Sequence, residues 1–272
     1  MKLFLYFIIM LLMCNNLISK HEEKAIGVEE FFQSAINKYK NKQIFSFLTF
    51  STLKGIIYGK GIKKVESSCC YIFTSEKSLL CLSTTGKKNL YKGNNGIQKW
   101  SLLASKILKQ DLNIAKTINY PDVVFFKKFK DFRTFFKTIT IDNKISKVND
   151  LDCYKLVCMT KNEKSPRQLV FFFAKRTFLL QKSIVPFNIK GKNCISETTY
   201  FYDLNDKSSL KRKYSETKNI NDKKIIFTLD VVYNKIFLNV PLKAELLNSP
   251  LNKDDFLKLK EYFTFLRKKY IK

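Results

Sequence analysis

The side chains in this sequence that could do covalent or metal chemistry are few, and their spacing is uninformative for most known reactions. Seven cysteines and one histidine are present. Six of the cysteines, Cys69, Cys70, Cys81, Cys153, Cys158 and Cys194, lie well inside the chain and contain no Cys-x-x-Cys pair. With His21 as the only imidazole, a tetrahedral Cys/His zinc site lacks its ligands. In an oxidising compartment six cysteines permit disulfides in fifteen possible connectivities, and the sequence leaves the pairing open. The other reading is that they are small buried hydrophobes. Cys153 and Cys158 are five apart, so in an extended strand they point to opposite faces and do not pair with each other. Nucleophilic catalysis by Ser or Cys needs a positioned base, and His21 sits on a polar segment near the N-terminus. No phosphate-binding loop, dinucleotide fingerprint or His-Glu-x-x-His is found. The carboxylate pairs Glu29-Glu30 and Asp254-Asp255 fall in first helical turns, where they oppose the helix dipole. This inventory argues against an enzyme and calls for no cofactor or metal.

The net charge is +27. Phosphate contacts are made by Lys and Arg, but here the basic residues are nearly all Lys, spread over the whole length without an Arg-rich tract. That pattern reads as a solvated basic surface or an attraction to anionic membrane, and nucleic acid is excluded from the expected partners. At the N-terminus, Lys2 precedes the unbroken apolar run Leu3 to Cys14, followed by Asn15-Asn16. Residues 1–19 are expected to be a secretory signal peptide, and Cys14 follows a sequence similar to a lipoprotein box, so anchoring there is the alternative to a free periplasmic protein. No later stretch has the apolar length of a membrane helix.

The elements that must position any site are mostly strands. Ala25 to Lys40 has apolar residues at three to five residue steps and predicts an amphipathic helix. Ile44 to Tyr91 consists of short β-branched and aromatic runs broken by glycines, which predicts antiparallel strands. Lys92-Gly93-Asn94-Asn95-Gly96 is a turn signal leading to Trp100, with a helix expected from Trp100 to Gln110. Pro121-Asp122 opens a stripe of Phe125, Phe129, Phe132 and Phe136 with lysines on the other face, expected to be a helix lying across an apolar surface. Cys153 to Leu238 reads as a meander of strands at 153–160, 168–173, 177–185, 196–204, 212–217 and 224–233, with a turn at Ala174-Lys175-Arg176. After Pro250, Asn252 caps a last helix with Phe256, Leu259, Phe263, Leu266 and Tyr270 on its apolar face.

Five of these patterns, in order, resemble the LolA-like family of periplasmic lipoprotein carriers and outer-membrane lipoprotein-sorting proteins. Asn95-Gly96-Ile97-Gln98-Lys99-Trp100 is similar to the family's Asp-Gly-x-x-x-Trp turn. Val148 to Leu156 resembles its Asp-Gly turn and Tyr-Lys-Leu strand. Phe171 to Ser183 resembles a strand, turn and Tyr-Leu-x-x-Lys strand, with Thr177, Leu179 and Lys182 in place and Ala174 at the turn Asp. Glu197 to Asp203 and Asn239 to Pro250 complete the series.

The resemblance implies a mainly β fold with α: a curved antiparallel sheet forming an incomplete half-barrel covered by helices, over residues 20–250, with 251–272 as a C-terminal amphipathic helix. It implies an apolar cavity or lid built from Trp100, Phe125, Phe129, Phe132, Phe136, Phe171, Phe173 and Leu179. The expected activity is non-enzymatic carriage of lipid or lipoprotein acyl chains, by a monomer that docks on inner- or outer-membrane proteins. The alternatives are a closed core in place of the cavity, and an envelope interaction or sensing module with no cargo.

Overall fold

The computed structural model describes residues 25–39, 46–58, 61–74, 78–83, 90–94, 98–103, 106–111, 136–161, 167–189, 192–203, 210–243 and 253–271. The signal segment with Cys14 and His21, and the stripe residues Phe125, Phe129 and Phe132, lie outside them.

Helix α1 (Val28–Tyr39) starts where Glu29 and Glu30 face the positive end of its dipole and ends with Lys38 at the negative end. Thirteen strands follow: β1 (Ser46–Tyr58), β2 (Ile62–Thr74), β3 (Ser78–Ser83), β4 (Leu90–Asn94), β5 (Gln98–Leu103), β6 (Lys106–Asp111), β7 (Phe136–Val148), β8 (Leu151–Thr160), β9 (Gln168–Ala174), β10 (Leu180–Ile189), β11 (Lys192–Tyr202), β12 (Leu210–Asn219) and β13 (Ile225–Leu238). Helix α2 (Lys253–Tyr270) repeats the charge logic of α1, with Asp254 and Asp255 at its start and Arg267, Lys268 and Lys269 at its end.

The strands form one antiparallel sheet in the order β6-β5-β4-β3-β2-β1-β13-β12-β11-β10-β9-β8-β7. The chain enters at the centre, meanders to one edge, passes through residues 112–135 to the other edge, and meanders back until β13 lies beside β1. That seam runs from Phe47 opposite Leu238 to Ile57 opposite Phe227. The sheet is open and unclosed, as the half-barrel expectation requires.

Three expectations change in detail. Trp100 to Gln110 is not a helix but the hairpin β5–β6, with Trp100 opposite Lys109. Phe136 does not end a helix; it opens β7, opposite Thr160. The strand expected from Thr177 starts at Leu180, because Lys175 to Thr177 turn and Phe178 takes a left-handed conformation (φ 56°).

Side chains alternate between the faces of a strand, so the register assigns every core residue to a face. One cluster joins Phe31, Phe32 and Ala35 of α1 to Leu156, Cys158, Leu169, Phe171, Phe173, Leu180, Tyr200 and Phe136. The other joins Leu259, Tyr262, Phe263 and Leu266 of α2 to Leu48, Phe50, Cys70, Ile72 and Cys81. From Phe171 through Ser183, Thr198, Ser215 and Leu229 to Gly55, opposed pairs carry the first face onto the odd-numbered residues of β1. Leu48 and Phe50 are on the even side. The two helices therefore cover opposite faces of one sheet, α1 over the β7–β11 half and α2 over the β1–β3 half.

Candidate functional site

The face under α1 gathers three of the residues expected to handle cargo. Phe136, Phe171 and Phe173 are buried, with the Phe136 and Phe171 rings 6.3 Å apart edge to face and Phe173 5.4 Å from Phe31. Phe31 also meets Phe32 at 5.3 Å and Tyr154 at 5.5 Å. Edge-to-face rings at this spacing are favourable beyond their area, so this end is a packed aromatic floor. Leu179 is buried but stands outside the cluster; its amide hydrogen-bonds the hydroxyl of Thr177 and its carbonyl accepts from Ala174, closing the turn into β10. Trp100 lies on β5 opposite Gly93 and Lys109, distant in strand order from the aromatic floor.

Moving from that floor toward the centre of the same face, the side chains become small and hydroxylic, which the sequence reading did not single out. Ser183, Thr198 and Ser215 stand directly opposite one another on β10, β11 and β12 and are buried. The Thr198 and Ser215 hydroxyls are hydrogen-bonded at 2.9 Å, and Ser183 shares a 3.3 Å bond with the Tyr200 hydroxyl. Beyond β13 the row continues with Thr49 and Ser51 of β1 and Ser67 of β2, also buried. The signal was present as Ser or Thr at alternate positions of several strands, but only the register shows that they share a face. Ser and Thr rise less above a sheet than Phe or Leu, so the layer is shallower along these hydroxyl positions than under α1, while β13 between them brings Leu229, Val231 and Tyr233 to the same face.

The two thiols of β8 are disfavoured as nucleophiles. Burial pushes the Cys158 thiol up to about 12 and the Cys153 thiol up to about 11, which keeps both protonated and poorly nucleophilic. Cys153 and Cys158 do face opposite sides of β8, since Leu156 and Cys158 belong to the aromatic cluster. Among the described residues no three His, Cys, Asp or Glu side chains converge as a metal site, and no helix is long and apolar enough to cross a membrane. On the face away from α1, a half-open cavity of about 510 Å³ is lined by Val170, Ile184, Pro186 and Ile195, with Arg167 and Gln168 at its side.

No family model and no curated protein matches the sequence. Solved structures do match in fold. A LolA superfamily protein from Nitrosomonas europaea is 11% identical, with a TM-score of 0.53 over 83% of this chain and 99% of its own. A putative outer membrane lipoprotein-sorting protein domain from Vibrio parahaemolyticus is 10% identical, with a TM-score of 0.53 over 80% of this chain and 95% of its own. The open antiparallel sheet described above is thus a LolA-like fold.

Proposed function

We propose that this chain is a non-enzymatic carrier or chaperone of the cell envelope that holds acyl chains of a lipoprotein or another lipid against the α1 face of its sheet. The observation that carries the reading is that one face of a LolA-like sheet joins an aromatic floor, Phe136, Phe171 and Phe173, to a shallower row of buried hydroxyl residues. An apolar chain laid there gains about 0.8 kcal/mol for each buried methylene, and the hydroxyls supply partners for an ester or amide at its end. Phe125, Phe129 and Phe132, on the connection between the sheet edges, supply the lid, and Trp100 supplies apolar surface toward the other edge. Capture and release need no catalytic group. In this reading residues 1–19 are a signal peptide that directs the carrier to the periplasm, where it works as a monomer, free or anchored through Cys14, and docking proteins at the two membranes load and unload it.

Native mass spectrometry of gently purified protein, together with titration of a fluorescent fatty acid, tests this. We expect bound lipid and saturable uptake. Thr198→Phe, which raises the shallow row, is expected to weaken uptake at least tenfold. Absence of both bound lipid and saturable uptake in the unsubstituted protein would sink the reading.

A second reading, an interaction module without cargo, is favoured by α2. Its outer side exposes Leu257 and Phe265 among Lys258, Lys260, Lys268 and Lys269. Because Leu259, Tyr262, Phe263 and Leu266 of the same helix are core, removing the helix would unfold part of the sheet. The discriminating variant is therefore Leu257→Ser with Phe265→Ser: loss of a defined envelope partner with lipid uptake intact favours the second reading.

A further inference from the structure

Cys70 of β2 and Cys81 of β3 are directly opposite each other in the antiparallel ladder. Residues so placed have Cα atoms about 4.5–5.5 Å apart, inside the roughly 4.4–6.8 Å span of disulfides. Both side chains lie on one face, under α2, in contact with the cluster of Leu48, Phe50, Ile72 and Leu259. Phe50 faces Cys70 from the other side, so the two sulfurs sit in one row across three strands.

The other described cysteines are not placed this way. Cys69 opposes Ser51 and Leu82, on the far face of β2. Cys153 opposes Ser146 and Ala174, and Cys158 opposes Ile139 and Leu169. Cys194 opposes Phe187 and Asn219. Among the described residues, Cys70 and Cys81 are the pair that the ladder brings together.

We infer that Cys70 and Cys81 are a disulfide site, closed when the chain folds in contact with a low-molecular-weight disulfide. The thiolate of one cysteine attacks that disulfide, forms a mixed disulfide and releases one thiol. The second cysteine's thiolate then attacks the protein sulfur of the mixed disulfide and releases the second thiol. The two cysteines lose two protons and two electrons, and the small disulfide takes them up and is reduced to two thiols. Closure precedes docking of α2, because burial of Cys70, reinforced by Cys69 and Cys81 and opposed by Arg267, holds its thiol above the usual range once the helix is in place. The bond then pins the register of β2 on β3 beneath the helix.

The test uses the full chain, unfolded in denaturant and refolded with either oxidised and reduced glutathione or reductant alone. With glutathione, we expect two thiols to disappear and a non-reduced digest to contain a peptide linking Cys70 to Cys81. Cys69→Ser should retain the link, and Cys81→Ala should abolish it. Treating the already folded, reduced protein with the same buffer should give the link far more slowly. No loss of thiols on refolding, or a link that joins any other pair, would overturn the inference, and the digest of the unsubstituted chain decides it even if a variant fails to fold.

Discussion

Phe171 shows how far one residue commits the molecule. Its side chain is 1% exposed, it lies between β8 and β10, and its ring meets Phe136. Removing a ring from such a site costs the lost transfer free energy plus a cavity. Phe171→Ala should therefore lower stability by about 3–5 kcal/mol, read as a shift in the urea midpoint with the slope unchanged. Cys158, in the same cluster, makes a prediction about pH. Its thiol is raised to about 12 by desolvation, so the folded state keeps a proton that the unfolded chain gives up above about pH 9. The contribution is full below that pH and is lost as pH rises, at up to about 1.4 kcal/mol per unit between 9 and 12. Denaturant titrations across this range should show a decline that Cys158→Ala makes shallower.

Among the elements, the β7–β8 hairpin illustrates what was legible and what was not. Val148-Asn149-Asp150-Leu151 was readable as a turn, and the structure makes it a two-residue loop with φ of 50° and 61° at Asn149 and Asp150, a type I′ geometry. Asn149 also donates to the Tyr200 carbonyl at 3.1 Å, which ties the hairpin to β11 and which no local pattern announces. Asp150 has no such duty in the turn, so Asp150→Gly, which removes the cost of left-handed backbone for a residue with a Cβ, should raise the melting temperature by a few degrees in calorimetry. The misreading of Trp100 to Gln110 has a clear cause. Leu102, Leu103, Ile107 and Leu108 fall at helical spacing, but each apolar run is only a few residues long, where helix and strand periods cannot be told apart. Pairing of β5 with β4 and β6 decides the matter. Phe136 went astray similarly: it continues the period of the preceding phenylalanines, yet its backbone is committed to Thr160 of β8. Both helices were legible because dipole charges and apolar stripes agree there.

For the whole molecule, the architecture was legible as an ordered set of hairpins, whereas the placement of α1 and α2 on opposite faces was not. That placement depends on counting faces across strands far apart in sequence, through a bulge at Phe50/Ser51. The candidate site was legible in part for the same reason: Phe171 and Phe173 stand out in one strand, but the row Ser183, Thr198 and Ser215 exists only once three strands are in register. Charge also acts at this scale. With a net charge of +27, the folded chain repels itself, and mobile salt screens exposed charges beyond about 10 Å at 0.1 M. The melting temperature should therefore rise between about 0.01 and 0.5 M sodium chloride, measured by thermal unfolding followed by circular dichroism. A flat response would mean that repulsion among the exposed lysines does not limit the stability of the fold.

The seam between β1 and β13 has a consequence in time. Ser51 and Tyr233 are partners but leave the ribosome about two thirds of the chain length apart, and loop closure over such a separation is slow and late. Hairpins of both meanders can form as they emerge, yet the sheet stays in two halves until β13 is made. A chain whose centre closes only with β13 therefore stays open to unfolding and to misplaced pairing for almost the whole of its synthesis.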